Sequence, residues 1–260
     1  MQMLIVGGSG VLGSAITPYL QATGHRITVL GPEPPTVPDV SHIDADATDF
    51  DALTAAMTGV DAVVNFALRA ARGDGADERS EPVRNAFTVN VGGAYAQLRC
   101  AGRTGVPAFV QISTMAVMHG YSRIQRSAHD PADGTGLYAV TKRMAELACE
   151  AEADRSPQMA VTVLRLAYPT RAEWWPAWGN PVAAEPTGIP KLGGQEFAAL
   201  HPEDLASAIV CAAERRGPYL CTQVTADVEG VALTDQWPHP LGWRPQHVLE
   251  GTGQQDVALH

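Results

Sequence analysis

The feature that most constrains the fold of this chain is a glycine-rich run directly after a short apolar stretch. Residues 3–6 are apolar, GGSGVLG occupies residues 7–13, and residues 11–21 show the apolar spacing of a helix. Glycine allows positive φ and close approach to bare backbone, and a helix N-terminus presents unpaired N–H groups and a positive dipole end. A strand, a glycine turn and a helix in this order predict a cradle for the diphosphate of a dinucleotide. The residues expected to contact it are Gly7, Gly10, Val11, Leu12 and Gly13.

Strand-like and helix-like segments alternate along most of the chain. Apolar runs without polar alternation predict buried strands at residues 3–6, 26–30, 61–66, 108–112 and 161–166. Helical spacing predicts helices at residues 11–21, 50–57, 87–103, 138–153 and 204–214. This alternation indicates an α/β protein with a Rossmann-type, doubly wound parallel sheet and helices on both faces. Pro18 lies inside the first predicted helix and is expected to kink or shorten it.

The expected organisation is a dinucleotide-binding core followed by a small C-terminal portion. We assign residues 1–166 to the core and residues 167–260 mainly to substrate binding, with residues 195–220 returning to the core. A loop rich in proline and glycine covers residues 168–194 and contains three tryptophans. These side chains either pack into a core or stack on a ligand, and they are Trp174, Trp175 and Trp178.

Composition and charge exclude several classes of protein. The 260 residues carry a formal net charge of -10, which argues against nucleic acid as a partner. We find no stretch of about 18 uncharged apolar residues, so no membrane span is expected. The cysteines have no CxxC spacing and are interpreted as reduced thiols of a cytoplasmic protein. No metal site is expected, because no group of residues has the spacing of metal ligands.

The choice between NAD and NADP depends on the loop after the second predicted strand. An acidic residue there would bind the ribose hydroxyls of the adenosine, but Gly31 follows the strand. Glu33 lies two residues later and either takes this role or is a solvated loop acid. The loop has no Arg or Lys for a 2′-phosphate, which favours NAD without excluding NADP.

A tyrosine and a lysine are placed for proton transfer. Tyr138 and Lys142 are four residues apart, so one face of a helix carries both side chains. A nearby ammonium is expected to lower the pKa of a phenol, and such a pair moves a proton while a nicotinamide exchanges hydride. Thr114, at the end of a predicted strand, is the expected catalytic hydroxyl, with Ser113 as the alternative. Both hydroxyls could instead satisfy backbone groups.

Together these motifs resemble the extended short-chain dehydrogenase/reductase family, the NAD-dependent epimerase/dehydratase group. The likeness runs from Met3 to about Gln246. GGSGVLG matches the family's phosphate loop, and YAVTK at residues 138–142 matches its YxxxK motif. Further similarities are DADATD at 44–49 to GDxxD, DAVVNFA at 61–67 to DxVxHxAA, NVGG at 90–93 to NVxGT, FVQISTMAV at 109–117 to FVYxSSxAVYG, and HPEDL at 201–205 to HVDDLA.

The resemblance implies a site for NAD or NADP and a catalytic set of Thr114, Tyr138 and Lys142. Lys142 would hold the nicotinamide ribose and Asp46 would lie near the adenine. Beyond the glycine loop and Glu33, the expected cofactor contacts are Asp46, Ala47, Phe66, Ala67, Asn90, Ser113, Tyr138 and Lys142. Arg165 is interpreted as a buried, paired residue, whereas Arg69 and Arg72 are interpreted as solvated loop residues.

The implied activity is that of an NAD(P)-dependent oxidoreductase or epimerase at a carbonyl or alcohol centre of a sugar or small metabolite. Reduction, epimerisation and dehydration all stay open; dehydration ranks last because Met115 and Ala116 stand where dehydratases carry an acid/base pair. The alternative is a catalytically weak NAD(P)-binding sensor or interaction protein on the same fold. Family members often dimerise through the helices that correspond to residues 87–103 and 138–153, which implies a homodimer.

Overall fold

The chain folds around a seven-stranded sheet in which every neighbouring pair of strands is parallel. The computed structural model describes residues 1–69, 80–124, 126–127, 130–180, 183–192, 194–226 and 239–249. The strands of this sheet are β1 Gln2–Val6, β2 Arg26–Leu30, β3 Ser41–Ile43, β4 Ala62–Asn65, β5 Ala108–Thr114, β6 Ala160–Leu166 and β9 Leu220–Val224. Their spatial order, β3-β2-β1-β4-β5-β6-β9, reverses direction between β1 and β4. Ligands of doubly wound folds bind at the carboxyl ends of the strands beside such a reversal.

Helices cover both faces of the sheet, and the predicted fold class is confirmed. They are α1 Val11–Ala22, α2 Phe50–Met57, α3 Glu81–Phe87, α4 Ala94–Thr104, α5 Leu137–Arg155 and α6 Pro202–Glu214. Successive residues of β1 face opposite sides, so Met3 and Leu4 belong to different core clusters. One cluster contains Ile16 of α1 and Ile209 of α6, and the other contains side chains of α2, α4 and α5. Burial on both faces explains why the strands are apolar without alternation.

Several local expectations needed correction. The predicted helix at residues 87–103 is two helices, α3 and α4, joined by a π-helical segment at Thr88–Gly93. Pro18 does not shorten the first helix, because α1 continues through it to Ala22. Sequence patterns missed β3 and β9, which lie at the two edges of the sheet. β3 has only three residues, and β9 mixes polar with apolar residues, so neither gives the apolar run of a buried strand.

The C-terminal part contributes both to the sheet and to a separate aromatic layer. The helix α6 packs against α1, and β9 extends the sheet beside β6. A two-stranded hairpin, β7 Lys191–Leu192 and β8 Gln195–Glu196, precedes α6. Among the described residues, no helix is both long and apolar enough to cross a membrane. The proposed division at residue 166 stays a prediction.

Aromatic side chains pack together where the loop after β6 meets the loop after β5. Tyr168 lies with its ring centroid 5.6 Å from Tyr121, 5.2 Å from Trp178 and 5.7 Å from Phe197. Trp175 packs edge-on against His201 and His247 instead. Trp178 and Trp175 therefore take part in packing, which was one of the two roles considered for the tryptophans.

Candidate active site

The glycine turn after β1 is shaped by contacts that leave no room for a side chain. Gly7 has φ of 77°, and a Cβ added to it would lie 2.7 Å from the N and Cα atoms of Ala67 at the end of β4. A Cβ on Gly13 would lie 2.5 Å from the carbonyl oxygen of Gly8. Real Cβ atoms do not approach other atoms so closely, so these glycines let the turn, β4 and α1 close on one another. The turn is thus a cradle of bare backbone, which fits a diphosphate.

The first turn of α1 opens onto this cradle. Its N-cap is Gly10, which has no side chain to cap the helix, and the first turn contains no acidic residue. The opening N–H groups of an α-helix lack intrahelical acceptors and carry the positive end of the dipole. Val11 is partly exposed here. Direct contacts of Val11 and Leu12 with a cofactor stay predictions.

A cleft of about 310 Å³ extends from the cradle across the carboxyl ends of β1, β2 and β4. The Ser9 hydroxyl donates to the Glu33 carbonyl oxygen at 2.6 Å, and this bond links the glycine turn to the loop after β2. Six of the predicted cofactor contacts line this cleft: Gly7, Gly10, Glu33, Asp46, Ala47 and Ala67. The structure therefore brings together residues that are up to 60 positions apart in the sequence.

Asp46 is held in place at the edge of this cleft. Its Oδ1 accepts hydrogen bonds from the backbone N–H and the hydroxyl of Thr48, at 2.8 and 2.6 Å. These bonds lower the pKa of the Asp46 carboxyl, and the charge of Arg69 adds to the effect. Arg69 also lines the cleft, so its interpretation as merely a solvated loop residue was incomplete. Arg72 lies outside the described residues.

Asn90 braces the loop after β4. Its side-chain Oδ1 accepts from the Arg69 N–H at 2.8 Å, and its Nδ2 donates to the Arg69 carbonyl at 3.1 Å and to the Thr141 hydroxyl at 3.2 Å. The buried amide is thus occupied by protein groups. Phe66 is half-buried against the core, and its N–H donates to the Val6 carbonyl. Both residues shape the wall of the cleft, and their direct contact with a cofactor stays a prediction.

Tyr138 and Thr114 meet at the carboxyl end of β5. The Thr114 side chain lies beside the Tyr138 phenol, and its Oγ1 accepts from the Ala116 N–H at 3.1 Å. Tyr138 is 41% exposed, yet the protein around it desolvates the phenol and raises its pKa. The neighbouring Thr114 side chain opposes part of this rise in pKa. A phenol in this setting is protonated at neutral pH.

Lys142 lies one helical turn beyond Tyr138 and is almost fully buried. Its Nζ donates to the Ile112 carbonyl at 2.9 Å. Burial lowers the pKa of Lys142 from 10.5 to about 8, although the nearby Glu146 carboxylate favours the charged form. The expectation that the ammonium lowers the pKa of Tyr138 was wrong for this structure, because desolvation of the phenol outweighs the opposing effects.

Ser113 belongs to a buried ionic group with Glu146 and Arg165. Its hydroxyl donates to Glu146 Oε1 at 2.6 Å, and the same carboxylate pairs with Arg165 at 2.8 Å. The interpretation of Arg165 as buried and paired is confirmed. Because the Ser113 hydroxyl is already bonded to Glu146, Thr114 is the better-placed of the two hydroxyls. A cofactor contact of Ser113 stays a prediction.

A second cleft, of about 630 Å³, opens beside Tyr138. It lies between the segment after β5 and the segment before α5. Apolar and aromatic side chains of Met118, Tyr121 and Ile124 form part of its wall, and Arg123 is the one permanently charged residue in the described lining. Sequence reasoning did not identify this wall, because no motif marks it.

Within the part of the chain that the structure describes, one group of side chains comes near to a metal-binding arrangement. Ligand atoms of His201, Glu203 and His247 all lie within 4.8 Å of one another. However, the two imidazole rings are stacked with centroids 3.7 Å apart and an angle of 19° between their planes. Nitrogen lone pairs lie in the plane of the ring, so stacked rings do not aim at one ion. This group packs the C-terminal segment onto α6.

Solved structures share the fold. MoeE5, in complex with UDP-glucuronic acid and NAD, superposes with a TM-score of 0.69 at 20% identity, over 87% of this chain and 77% of that one. The uronate dehydrogenase of Agrobacterium tumefaciens gives a TM-score of 0.68 at 17% identity, over 95% of this chain and 84% of that one. At these identities the likeness concerns the fold alone.

Sequence comparison adds relatives and a family. The 3 beta-hydroxysteroid dehydrogenase/Delta 5-->4-isomerase of Mycobacterium tuberculosis is 31% identical over 126 residues, which are 47% of this chain. The match spans 34% of that protein, so the likeness covers about a third of its length. The model of the NAD dependent epimerase/dehydratase family matches residues 3–219, which is most of the chain. The chain belongs to the NAD-dependent epimerase/dehydratase family.

Proposed function

We propose that this protein is an NAD(P)-dependent oxidoreductase or epimerase that acts at a carbonyl or alcohol centre. The observation that carries the proposal is the position of Tyr138 in the lining of a cleft, with Thr114 beside its phenol and Lys142 one turn away on the same helix. Membership of the family supports it. The relatives and neighbours whose names include dehydrogenase, isomerase or NAD point to the same class of reaction.

The glycine cradle and the cleft beside it would hold the cofactor. Gly7, Gly10 and Gly13 leave space for a diphosphate at the opening turn of α1, and Glu33 or Asp46 would accept from ribose hydroxyls. A carboxylate at Glu33 would repel a 2′-phosphate, which favours NAD. When bound, the nicotinamide would supply or accept the hydride.

The residues at the end of β5 would handle the proton and the oxygen of the substrate. Since burial keeps the pKa of Tyr138 raised, the phenol can donate its proton to a carbonyl oxygen at neutral pH. Thr114, which lies beside that phenol, would contact the same oxygen and fix its direction. Lys142 is cationic below about pH 8, and its Nζ, held by the Ile112 carbonyl near the end of β5, would contact the nicotinamide ribose.

The second cleft favours a ring-bearing substrate without a diphosphate. Met118, Tyr121 and Ile124 offer apolar contact beside Tyr138, whereas Arg123 is the single permanent cation of the described lining. A diphosphate carries two negative charges and would be expected to meet more than one cation. A hydroxysteroid, the substrate class in the name of the mycobacterial relative, suits this wall better than a nucleotide sugar.

The decisive experiment follows nicotinamide absorbance with two alcohol substrates. The protein is mixed with NAD or NADP and either a 3β-hydroxysteroid or UDP-glucose, and Tyr138→Phe serves as the matched variant. We expect reduction of NAD with the steroid, and loss of that activity in the variant. If the protein binds NADH but turns over neither substrate nor any member of a wider ketone panel, the result would favour a sensor over an enzyme. If the protein does not bind NADH, the result would contradict both the enzyme and the sensor.

We also propose that the protein forms a homodimer through α4 and α5. Tyr95 of α4 is 50% exposed, and Met144 and Leu147 of α5 are 42% and 64% exposed. Met144 and Leu147 are three residues apart and share one face of the helix. A second copy would cover these apolar side chains. Light scattering should give twice the mass of 27.5 kDa, and Leu147→Glu should give the monomer mass; a monomeric wild-type protein would contradict the proposal.

A further inference from the structure

We propose that Asn65 and Gln111 form a buried positioning pair. The pair fixes the Ile112 carbonyl as the acceptor for Lys142, and it connects this carbonyl to the wall of the glycine cradle. The pair lies between the cofactor cleft and the catalytic helix, and the motifs that contain Asn65 and Gln111 gave neither residue a role. The role rests on the proposed function, but the contacts that define it are independent of any reaction.

The pair occupies the point where two central strands part. Parallel pairing of β4 with β5 ends at Asn65 opposite Gln111, whereas β5 continues to Thr114. Asn65 Nδ2 donates to Gln111 Oε1 at 2.9 Å, and both side chains are almost fully buried. A side-chain hydrogen bond therefore replaces the backbone ladder just where the strands diverge. A pair buried this deeply is costly unless both amides are satisfied.

Each amide also holds one backbone group beyond the end of the ladder. Asn65 Oδ1 accepts from the Ala67 N–H at 2.9 Å. Gln111 Nε2 donates to the Ile112 carbonyl at 2.9 Å. The first bond fixes the backbone against which Gly7 closes, since a Cβ on Gly7 would lie 2.7 Å from Ala67 N. The second bond fixes the Ile112 carbonyl, which also accepts from Lys142.

Lys142 depends on that carbonyl. Its Nζ donates to the Ile112 oxygen at 2.9 Å, so this oxygen accepts from both Gln111 and Lys142. A carbonyl has two lone pairs and can bind both donors. Lysine has a long, flexible side chain, and a fixed acceptor defines where its ammonium lies. Without Gln111, the end of β5 would be freer to move and the ammonium would lose a well-oriented partner.

The charged and titratable groups that face Lys142 are few. Glu146 and Cys149 lie on its own helix, and Arg165 on β6 neutralises Glu146 by direct pairing. The Ile112 carbonyl is therefore an important stabiliser of the charged lysine. Because a hydrogen bond to the charged form favours that form, loosening the acceptor should lower the pKa of Lys142.

The test is a lysine NMR titration of the full chain. Lys142 and Lys191 are the two lysines of the sequence, so labelling lysine with ¹³C at Cε gives one buried and one exposed signal. We expect the Lys142 signal of the wild-type protein to titrate near pH 8. In Gln111→Met its midpoint should fall by about half a pH unit or more. The measurement needs neither cofactor nor turnover.

The matched control is Gln223→Met, which removes another buried glutamine of the sheet, on the edge strand β9. Its side chain donates to the Arg126 carbonyl and has no contact with the pair, so the Lys142 midpoint should stay unchanged. If Gln111→Met does not fold, Asn65→Ala tests the same link and should shift the midpoint in the same direction. An unchanged midpoint in the pair variants, or an equal shift in Gln223→Met, would overturn the proposal. Failure of NADH binding would overturn the proposed function and leave this result standing.

Discussion

The two clefts on either side of Tyr138 are built in different ways. The cofactor side is made of strand ends, glycine backbone and the opening turn of α1, all tied to the parallel sheet. The proposed substrate side is made of the segment after β5 and the segment that leads into α5, next to a layer of aromatic side chains packed in tilted and edge-on pairs. A backbone site accepts few changes, whereas a wall of side chains on loops can be altered one residue at a time. Variants on the two sides should therefore separate cofactor binding from substrate binding.

The largest effect is expected at the border between the clefts. Tyr138→Phe removes the proton donor but keeps the ring, so kcat should fall by about 10²-fold or more. The dissociation constant of NADH should stay within about twofold of the wild-type value, because the change removes one hydroxyl and keeps the ring. Stopped-flow turnover and fluorescence titration give the two values. Tyr95→Phe, on the exposed face of α4, is the control and should leave both unchanged.

Replacing Lys142 is expected to raise the stability of the protein and to abolish its turnover. Lys142→Met removes a buried ammonium whose pKa is lowered from 10.5 to about 8. The unfolded chain binds more protons than the folded chain between these values, so the cost of burial is full below pH 8 and disappears towards pH 10.5. At pH 7 the variant should gain about 3 kcal/mol of unfolding free energy, while turnover is lost.

Urea unfolding of Lys142→Met at several pH values measures this gain. The difference from the wild-type protein should shrink as pH rises from 8 to 10.5. A gain that is constant over this range, or a loss of stability at pH 7, would contradict the burial cost assigned to Lys142.

A side chain added in the glycine cradle is expected to weaken cofactor binding through a steric clash. Gly13→Ala places a Cβ 2.5 Å from the Gly8 carbonyl, so α1 must move away from the turn. Overpacking of this kind costs about 1–3 kcal/mol, so NADH should bind about tenfold more weakly. Gly92→Ala is the matched control, since a Cβ there meets open space. Isothermal titration calorimetry compares the two, and equal affinities would argue against the cradle.

The smallest effect is expected on the substrate side. Ile124→Ser removes apolar contact area from the second cleft, which should raise KM for the steroid by about fivefold, or about 1 kcal/mol. NADH affinity should not change, because Ile124 does not line the cofactor cleft. A change in NADH affinity without a change in KM would reverse the assignment of the two clefts.

Much of the cofactor side could be predicted because its signals are local. The glycine run and its place between a strand and a helix are visible within a few residues, and so is the four-residue spacing of Tyr138 and Lys142. The structure places the glycines against β4 and α1, and Tyr138 beside Thr114. By contrast, the partners of Ser113 and Lys142 were not predicted, because Glu146 and the Ile112 carbonyl are 33 and 30 positions away.

The sequence by itself determined the order of the five inner strands of the sheet, the bare backbone of the cradle and the residue types of a candidate proton-transferring pair, since periodicity and spacing carry that information. Only the tertiary structure decided which carbonyl holds Lys142, which carboxylate holds Ser113 and what surrounds the phenol of Tyr138. The reason is that hydrogen bonding and desolvation depend on groups brought together from distant parts of the chain. Those contacts exist only after the sheet has formed.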